Sequence, residues 1–259
     1  MNNFIFIHNL NPIAVEIFNF KVYWYSLAYI FGFLFSLIYS RKLIKKKIIN
    51  LNISIMDDFI TWAIIGVILG GRIGYIIFYN LEFYLINKLE IIKIWQGGMS
   101  FHGGLIGLII SMILFSKKKK IDGFELANLV ALCCPVGIFL GRIANFINGE
   151  LIGRPTDQSW GILFMTNDFL RHPSQIYEAI FEGLMVFLIF QFIIKIELHK
   201  KINFLSVFLI IYSSSRFFIE FFREPDQQLG FILVNLSMGQ ILCLPMLFFG
   251  LIFLRYGKN

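Results

Sequence analysis

Aspartate is scarce in this sequence of 259 residues, and motifs on which several large enzyme classes depend are missing. The few aspartates form no acidic cluster of the kind that holds Mg²⁺ in a phosphoryl-transfer site. The chain also contains no Gly-x-Ser-x-Gly nucleophile turn and no zinc-binding His-Glu-x-x-His. We therefore expect a site that works through electrostatics and orientation, without a metal ion and without a cofactor.

Cysteine is similarly rare, and its positions exclude most cysteine chemistry. Cys133, Cys134 and Cys243 all lie in apolar stretches and lack the spacing of a metal site. We interpret them as small buried hydrophobic residues. The N-terminal residues contain no basic stretch and no small-residue cleavage site, so we expect no cleaved signal peptide.

Apolar residues are what the sequence has in abundance. They make up 58% of the chain, charged residues make up only 15%, and the mean hydropathy is +0.74. These values are typical of a polytopic membrane protein.

The formal net charge of +7 raises the question of a nucleic-acid partner. Because the basic residues lie between apolar stretches, as in membrane-protein loops, we expect no nucleic-acid partner.

The apolar stretches predict an all-α polytopic membrane protein with seven transmembrane helices. Each stretch has about the 17–25 residues needed to cross a bilayer. Their approximate ranges are 22–41, 58–79, 99–116, 124–147, 175–195, 203–222 and 235–255. We expect residues 1–259 to form a single integral membrane domain. Residues 148–174, which are richer in polar residues, glycine and proline, are expected to form a small external cap between the fourth and fifth helices.

Lysine and arginine in alternating loops predict the orientation. Most of them fall in 41–47, 117–120, 195–201 and 255–258. The alternate loops hold only Lys21, Lys88, Lys93, Arg154, Arg171 and Arg223. Cytoplasmic loops carry the excess of basic residues, so we expect the N-terminus outside and the C-terminus inside.

Three arginines lie inside predicted spans, where a charge costs roughly 2.5–3.5 kcal/mol and is normally functional. With the predicted orientation, Arg72, Arg142 and Arg216 all fall roughly 8–10 Å below the outer surface, at 1.5 Å per helical residue. Tyr25 and His102 lie at the outer starts of their spans. The sequence therefore predicts one shallow polar layer, in which a histidine such as His102 could exchange protons.

Spacing within two spans places polar residues on shared helix faces. These sets are Arg142, Asn145 and Gly149, and Tyr212, Arg216 and Glu220. We predict that Glu220 pairs with Arg216 or Arg223, and that Glu150 pairs with an arginine of another helix. An excess of arginine over glutamate would leave a positive site suited to phosphate, such as an anionic lipid headgroup. The alternative is a set of ion pairs that only hold the helices together.

Glycines recur every fourth residue in two spans. They are Gly66, Gly70 and Gly74 in one span and Gly103 and Gly107 in the next. We interpret this spacing as close packing of helices, because small residues let two helix backbones approach. Gly70 and Gly71 beside Arg72 could in addition let the backbone approach a ligand.

Five segments together resemble a known family. They are 70–75 (GGRIGY), 95–104 (WQGGMSFHGG), 141–153, 172–178 (HPSQIYE) and 220–226 (EFFREPD). In this order they resemble the prolipoprotein diacylglyceryl transferases over nearly the whole chain, and 141–153 is highly specific to that family. Two departures concern local packing: Ser213 stands where the family usually has glycine, and Ile152 where tryptophan is common.

The resemblance implies a multi-pass enzyme of the bacterial inner (plasma) membrane with a small external head. Such an enzyme transfers the diacylglyceryl group of phosphatidylglycerol to the lipobox cysteine of a prolipoprotein. The product is a thioether, glycerol phosphate is released, and the reaction is the first step of lipoprotein maturation. The implied partners are phosphatidylglycerol, the prolipoprotein signal peptide with its lipobox, and membrane lipid.

The family pattern, together with the polar layer, also implies site residues. The predicted catalytic residues are His102, Arg142, Glu150, Arg216 and Glu220. The predicted substrate-binding residues are Tyr25, Arg72, Arg142, Asn145, Gly153, Tyr212 and Arg223. Arg142 and Arg216 would hold the lipid phosphate and stabilise the departing glycerol phosphate. Asn145 and Tyr25 would orient the headgroup by hydrogen bonds.

The base that takes the thiol proton is left open by the sequence. His102 is one candidate, and a carboxylate network of Glu150 and Glu220 is another. A third possibility is that nearby arginines lower the thiol pKa enough for the thiolate to form without a dedicated base.

Two other functions would also use a positive layer in the membrane. An anion channel or lipid transporter would need a polar path to the cytoplasmic side, whereas the cytoplasmic halves of the spans are apolar. The sequence also lacks the internal repeat and paired broken helices of many transporters. A non-catalytic lipid-binding scaffold would bind phosphatidylglycerol without turnover.

Overall fold

The computed structural model describes residues 5–18, 20–165, 168–225, 231–233 and 236–255. Asp226, Asn235 and Lys258, which the sequence analysis used, lie outside these described residues. The chain divides into two compact units. The first unit comprises 1–38 and 128–259, and the second comprises 39–127.

The described chain is mostly helical, and six of its helices are long and apolar enough to cross a membrane. They are α1 (Trp24–Lys45), α2 (Ile53–Tyr79), α4 (Phe101–Lys119), α5 (Gly123–Asn148), the continuous run Ser174–Lys195, and α9 (Met238–Arg255). The shorter helices are α3 (Leu81–Ile86) and α8 (Phe204–Ile219). The prediction of a multi-pass membrane protein is confirmed at this level.

The predicted span 203–222 corresponds to α8, which has 16 residues and is shorter than the other spans. Its start is fixed by Asn203, whose side-chain oxygen accepts hydrogen bonds from the backbone N–H groups of Leu205 and Ser206. Such a side-chain cap satisfies amide groups that have no partner within the helix. At the other end the helix stops at Ile219, directly before Glu220.

In the second unit, α2 packs closely on α4 through glycine. A Cβ added at Gly70 would overlap the carbonyl oxygen of Gly103 and lie 2.8 Å from the Gly107 Cα. A Cβ added at Gly66 would likewise fall 2.7 Å from the Gly107 carbonyl oxygen. Backbone contact at this distance requires glycine, so the packing interpretation of the repeated glycines is confirmed.

The first unit contains short strands that an all-α prediction omitted. A three-stranded sheet has the order β1 (Phe6–His8), β4 (Ile162–Phe164) and β5 (Leu170–Arg171), with β1 parallel to β4 and β4 antiparallel to β5. Two hairpins are formed by β2 (Ile13–Ile17) with β3 (Phe20–Tyr23), and by β6 (Phe231–Leu233) with β7 (Leu236–Ser237). Strands of two to five residues are too short for a periodic pattern to stand out in the sequence.

The run Ser174–Lys195 is not a regular α-helix. It consists of α6 (Ser174–Glu178), a π-helical segment (Ala179–Leu184) and α7 (Met185–Lys195). A Cβ added at Gly183, within the π-helical segment, would lie 2.7 Å from the Phe139 Cβ and 2.8 Å from its Cα. Such π turns within α-helices are frequent at functional sites. Here the interruption follows directly after Glu178 and includes Glu182.

Candidate functional site

Two arginines predicted from the sequence meet two buried glutamates in the first unit. Arg142 lies near the C-terminal end of α5, and its Nη1 is 3.2 Å from Glu178 Oε2. Its Nη2 is 3.4 Å from Glu182 Oε2. Arg216, on α8, pairs with the other oxygen of Glu178 and lies 3.5 Å from Glu182 Oε1. Each carboxylate therefore bridges two guanidinium groups that come from different helices.

Two further charged residues extend this network. Arg216 Nη2 lies 2.8 Å from Glu220 Oε2, so the predicted pairing of these two residues is confirmed. Glu220 Oε1 accepts a hydrogen bond of 2.9 Å from the Ser237 hydroxyl. Arg223 Nη1 lies 3.2 Å from Glu178 Oε1. We call these six residues the Arg–Glu network: Arg142, Glu178, Glu182, Arg216, Glu220 and Arg223.

The Arg–Glu network is balanced in charge. Within the described residues, three guanidinium groups meet three carboxylates, so the expected excess of arginine over glutamate is wrong for this cluster. The side chains of Arg142 and Arg216 keep 14% and 12% of their surface exposed, whereas those of Glu178 and Glu182 are fully buried. The two arginines therefore keep a small exposed surface, whereas the two carboxylates that pair with them have none.

Asn145 and Glu150 form a second, smaller group at the end of α5. Asn145 Nδ2 donates a hydrogen bond of 2.8 Å to Glu150 Oε1. Gly149, with φ of +67°, ends the helix in a left-handed turn, and the Glu150 N–H then donates back to the Asn145 carbonyl. The predicted Glu150–arginine ion pair is wrong for the described residues, because this turn directs the carboxylate to its own helix.

Gly153 lies where the backbone approaches two other segments closely. Its N–H donates to the His172 carbonyl at 3.1 Å, and its carbonyl accepts from Arg171. A Cβ at this position would overlap the His172 carbonyl oxygen and lie 2.8 Å from that of Phe222. Close packing by itself therefore requires glycine here.

Two of the predicted tyrosines also lie in the first unit. Tyr212 is half-buried on α8, stacks on Phe208, and interacts electrostatically with Glu182 and both arginines of the site. Tyr25 is exposed at the start of α1, with its ring 5.2 Å from that of Tyr29. Tyr29 in turn interacts electrostatically with Arg142.

Arg72 and His102 belong to the second unit. The Arg72 side chain is buried, and it donates hydrogen bonds to five backbone carbonyl oxygens within the described part of that unit. His102 is exposed in the first turn of α4, which Ser100 caps by accepting a hydrogen bond from Gly103 N–H. That these two residues share a layer with Arg142 stays a prediction.

His172 lies next to the network in sequence, just before the Ser174–Lys195 run. The pKa of His172 is lowered, chiefly because its ring is partly buried. The nearby Asp157 carboxylate raises this pKa and so partly opposes the shift. Its Nδ1 lies 3.2 Å from the Tyr177 hydroxyl, and its ring meets that of Phe222 edge-on. These contacts hold the segment before the π turn.

The family described as prolipoprotein diacylglyceryl transferase matches residues 12–256. The chain belongs to this family. A protein of Rickettsia canadensis named phosphatidylglycerol–prolipoprotein diacylglyceryl transferase is 48% identical to this chain over 245 residues, which cover 93% of this chain and 95% of that protein. The protein of the same name in Ehrlichia ruminantium is 47% identical over 256 residues, covering 96% and 98%.

Glu178 and Glu182 form most of the ion pairs in the Arg–Glu network. Neither of them is among the site residues predicted from the sequence, which include Glu150 and Glu220 instead. The sequence does carry a signal for Glu178 and Glu182. Both lie inside an apolar span at i and i+4, where an acidic residue needs a partner. The arginines that pair with these glutamates lie on other helices, and no local sequence pattern connects the two sets.

Proposed function

We propose that this chain is a phosphatidylglycerol–prolipoprotein diacylglyceryl transferase. The observation that carries the proposal is the pair of partly exposed arginines, Arg142 and Arg216, held by buried carboxylates in a member of this family. Guanidinium groups bind phosphate through paired, charge-assisted hydrogen bonds. Relatives of similar length carry this name at 47–50% identity, which supports the same substrates here.

The proposed reaction is a displacement at carbon. The sulfur of the lipobox cysteine attacks the glyceryl carbon that bears the phosphate, so a C–S bond forms while the C–O bond breaks. The electron pair of the broken bond stays on the phosphate oxygen, and glycerol phosphate leaves. Arg142 and Arg216 stabilise the charge that develops on this oxygen, because fixed cations need no reorganisation in the transition state.

The thiol proton must go to a base, and three candidates remain within this proposal. His102 is exposed and can accept a proton. The second candidate is a carboxylate, and both carboxylates already have partners. Glu220 pairs with Arg216 and accepts a hydrogen bond from Ser237, and Glu150 accepts one from Asn145. The arginines themselves favour the thiolate form of a bound cysteine. Asn145, Tyr25 and Tyr212 are proposed to orient the headgroup and the reacting groups.

Arg223 and Gly153 are proposed to shape the site, and Arg72 is proposed to contribute to substrate binding. Arg223 pairs with Glu178, and Gly153 forms an antiparallel bridge with Arg223. Arg72 donates its guanidinium N–H groups to backbone carbonyls. Its role in substrate binding stays a prediction.

The proposed location is the inner membrane of a bacterium. The six long apolar helices together with α8 would make seven spans, with the N-terminus outside and the C-terminus inside. Residues 148–174 would then form an external cap. The strands β4 and β5 within that range support a folded cap.

The test is a transfer assay with the purified full-length protein. Phosphatidylglycerol vesicles and a peptide containing a lipobox cysteine are incubated with it, and mass spectrometry follows the peptide. We expect a mass increase of one diacylglyceryl group, together with release of glycerol phosphate. Arg142→Ala should abolish the increase, whereas Arg41→Ala, which removes an exposed pair with Asp57, should not change it.

The same assay separates the alternative functions. Ion conductance or lipid movement without a modified peptide would identify a channel or transporter. Binding of phosphatidylglycerol without any modified peptide would identify a scaffold. Full activity in Arg142→Ala would show that the proposed phosphate site is wrong even if the transferase activity is present.

A further inference from the structure

The segment between α2 and α4 exposes an unusual amount of apolar surface for a connection. It comprises α3 and two short 3₁₀ turns, Lys88–Ile92 and Ile94–Gln96. Its side chains Ile86, Leu89 and Trp95 are 82%, 77% and 74% exposed, and Leu85 and Ile92 are also exposed. We call residues 81–98 the apolar connection. A contiguous exposed surface of this kind indicates a partner.

The position of the apolar connection restricts what that partner is. It begins directly after α2 ends at Tyr79 and finishes just before α4 begins at Phe101. Both helices are candidate membrane spans, so both ends of the connection emerge at a membrane surface. Its helical pieces have three to six residues and cannot themselves cross a bilayer. The connection therefore stays near the depth at which the spans end.

Arg72 makes this irregular backbone compatible with lipid. Its Nε donates to the Ile91 carbonyl at 2.9 Å, and its Nη2 donates to the Glu90 carbonyl at 2.6 Å. Its Nη1 donates to the Gly97 and Gly98 carbonyls. Irregular backbone in contact with lipid is costly unless its polar groups find partners within the protein. One guanidinium group supplies those partners for the second half of the connection.

The charged side chains of the connection fit an interface better than the hydrocarbon core. Lys93 Nζ lies 2.5 Å from Glu90 Oε1, so these two charges neutralise each other. Glu82 and Lys88 are exposed at the other end. Charges at headgroup depth beside aliphatic and tryptophan side chains are typical of segments that lie in the membrane interface.

We propose that the apolar connection lies in the membrane interface, with Leu89, Ile92 and Trp95 in the acyl-chain region of a phospholipid bilayer. Arg72 is the positioning residue that holds it there. Lipid is favoured over a protein partner because both ends continue into candidate membrane spans and because Arg72 already binds five backbone carbonyls in the second half of the connection. This inference does not depend on the proposed function.

Tryptophan fluorescence of the full-length protein in phosphatidylglycerol-containing vesicles tests the proposal. The substitutions Trp24→Phe, Trp62→Phe and Trp160→Phe leave Trp95 as the single tryptophan. We expect lipids brominated on the acyl chain near the headgroup to quench most of its emission, and aqueous iodide to quench little. Quenching by iodide but not by brominated lipid would overturn the proposal. Protection from both quenchers would also overturn it, since a protein partner or a second copy would then cover Trp95.

Arg72→Lys in the same background tests the positioning role. A lysine cannot reach the separate carbonyls that a guanidinium fork binds, so we expect a red-shifted emission and increased iodide quenching. Unchanged quenching would overturn the role of Arg72. If this variant does not fold, as judged by circular dichroism, Ile86→Glu replaces it. A charge at this exposed position should shift Trp95 toward water only if the connection contacts lipid.

Discussion

The buried carboxylate of Glu178 binds Arg142 through one oxygen, at 3.2 Å, while its other oxygen contacts Arg216 and Arg223. One side chain therefore sets the separation of the two guanidinium groups proposed to hold phosphate. Its negative charge offsets part of the repulsion between these cations in a poorly solvated site. The π turn that follows Glu178 brings Glu182 to the same two arginines.

Glu178→Gln should lower both stability and activity. The amide keeps the size of the side chain but not its charge, and breaking a buried ion pair costs about 3–5 kcal/mol. We expect a clear fall in thermal stability in detergent and a loss of peptide modification. Glu182→Gln, which removes contacts of 3.4 and 3.5 Å to two arginines, is the matched comparison and should have the smaller effect. Equal effects would contradict the central position of Glu178.

Arg216→Lys should reduce turnover more than substrate binding. Arg216 contacts three carboxylates through Nη1 and Nη2, a geometry that a single ammonium group cannot reproduce. Loss of a preorganised donor lowers the rate by about 10²–10³ in known cases. Transfer rates at saturating and limiting phosphatidylglycerol separate kcat from KM. A changed KM with unchanged kcat would contradict a role in the transition state.

Gly153→Ala should destabilise the protein for steric reasons. The added methyl group would lie 2.7 Å from the His172 Cβ and 2.8 Å from the Phe222 carbonyl oxygen. Overpacking of this kind costs about 1–3 kcal/mol. Gly137→Ala is the control, since no atom apart from its chain neighbours and its own helix backbone lies within 4 Å of its Cβ position, and alanine favours a helix over glycine by about 0.5–1 kcal/mol. Thermal unfolding measures both. Equal melting temperatures would show that the backbone around Gly153 adapts.

His172 should make stability depend on pH. Its pKa in the folded protein is lowered from the ordinary value of 6.5, chiefly by burial. Between the two pKa values the unfolded chain binds more protons, so the free energy of unfolding rises with pH in that window. We expect the wild type to lose thermal stability relative to His172→Gln as the pH falls below 6.5 and to keep a constant difference above it. The same difference at every pH would contradict this shift.

The membrane character, most of the span positions and the pair Arg216–Glu220 could all be predicted from sequence. Each depends on local information: the mean hydropathy of a window, or a spacing of four residues on one helix. The close packing of α2 on α4 could be predicted for the same reason, because its glycines recur every fourth residue. The Glu150 partner was predicted wrongly, because a left-handed turn at Gly149 redirects the carboxylate and leaves no periodic signal.

The sequence by itself determined that this chain is a multi-pass membrane protein and which arginines lie inside its apolar helices. Only the tertiary structure decided what those arginines bind. Arg142 and Arg216 share Glu178 and Glu182, whereas Arg72 binds backbone carbonyls. The physical reason is that a buried charge needs a partner, and that partner comes from another helix, whose contacts leave no record in the spacing of residues along the sequence.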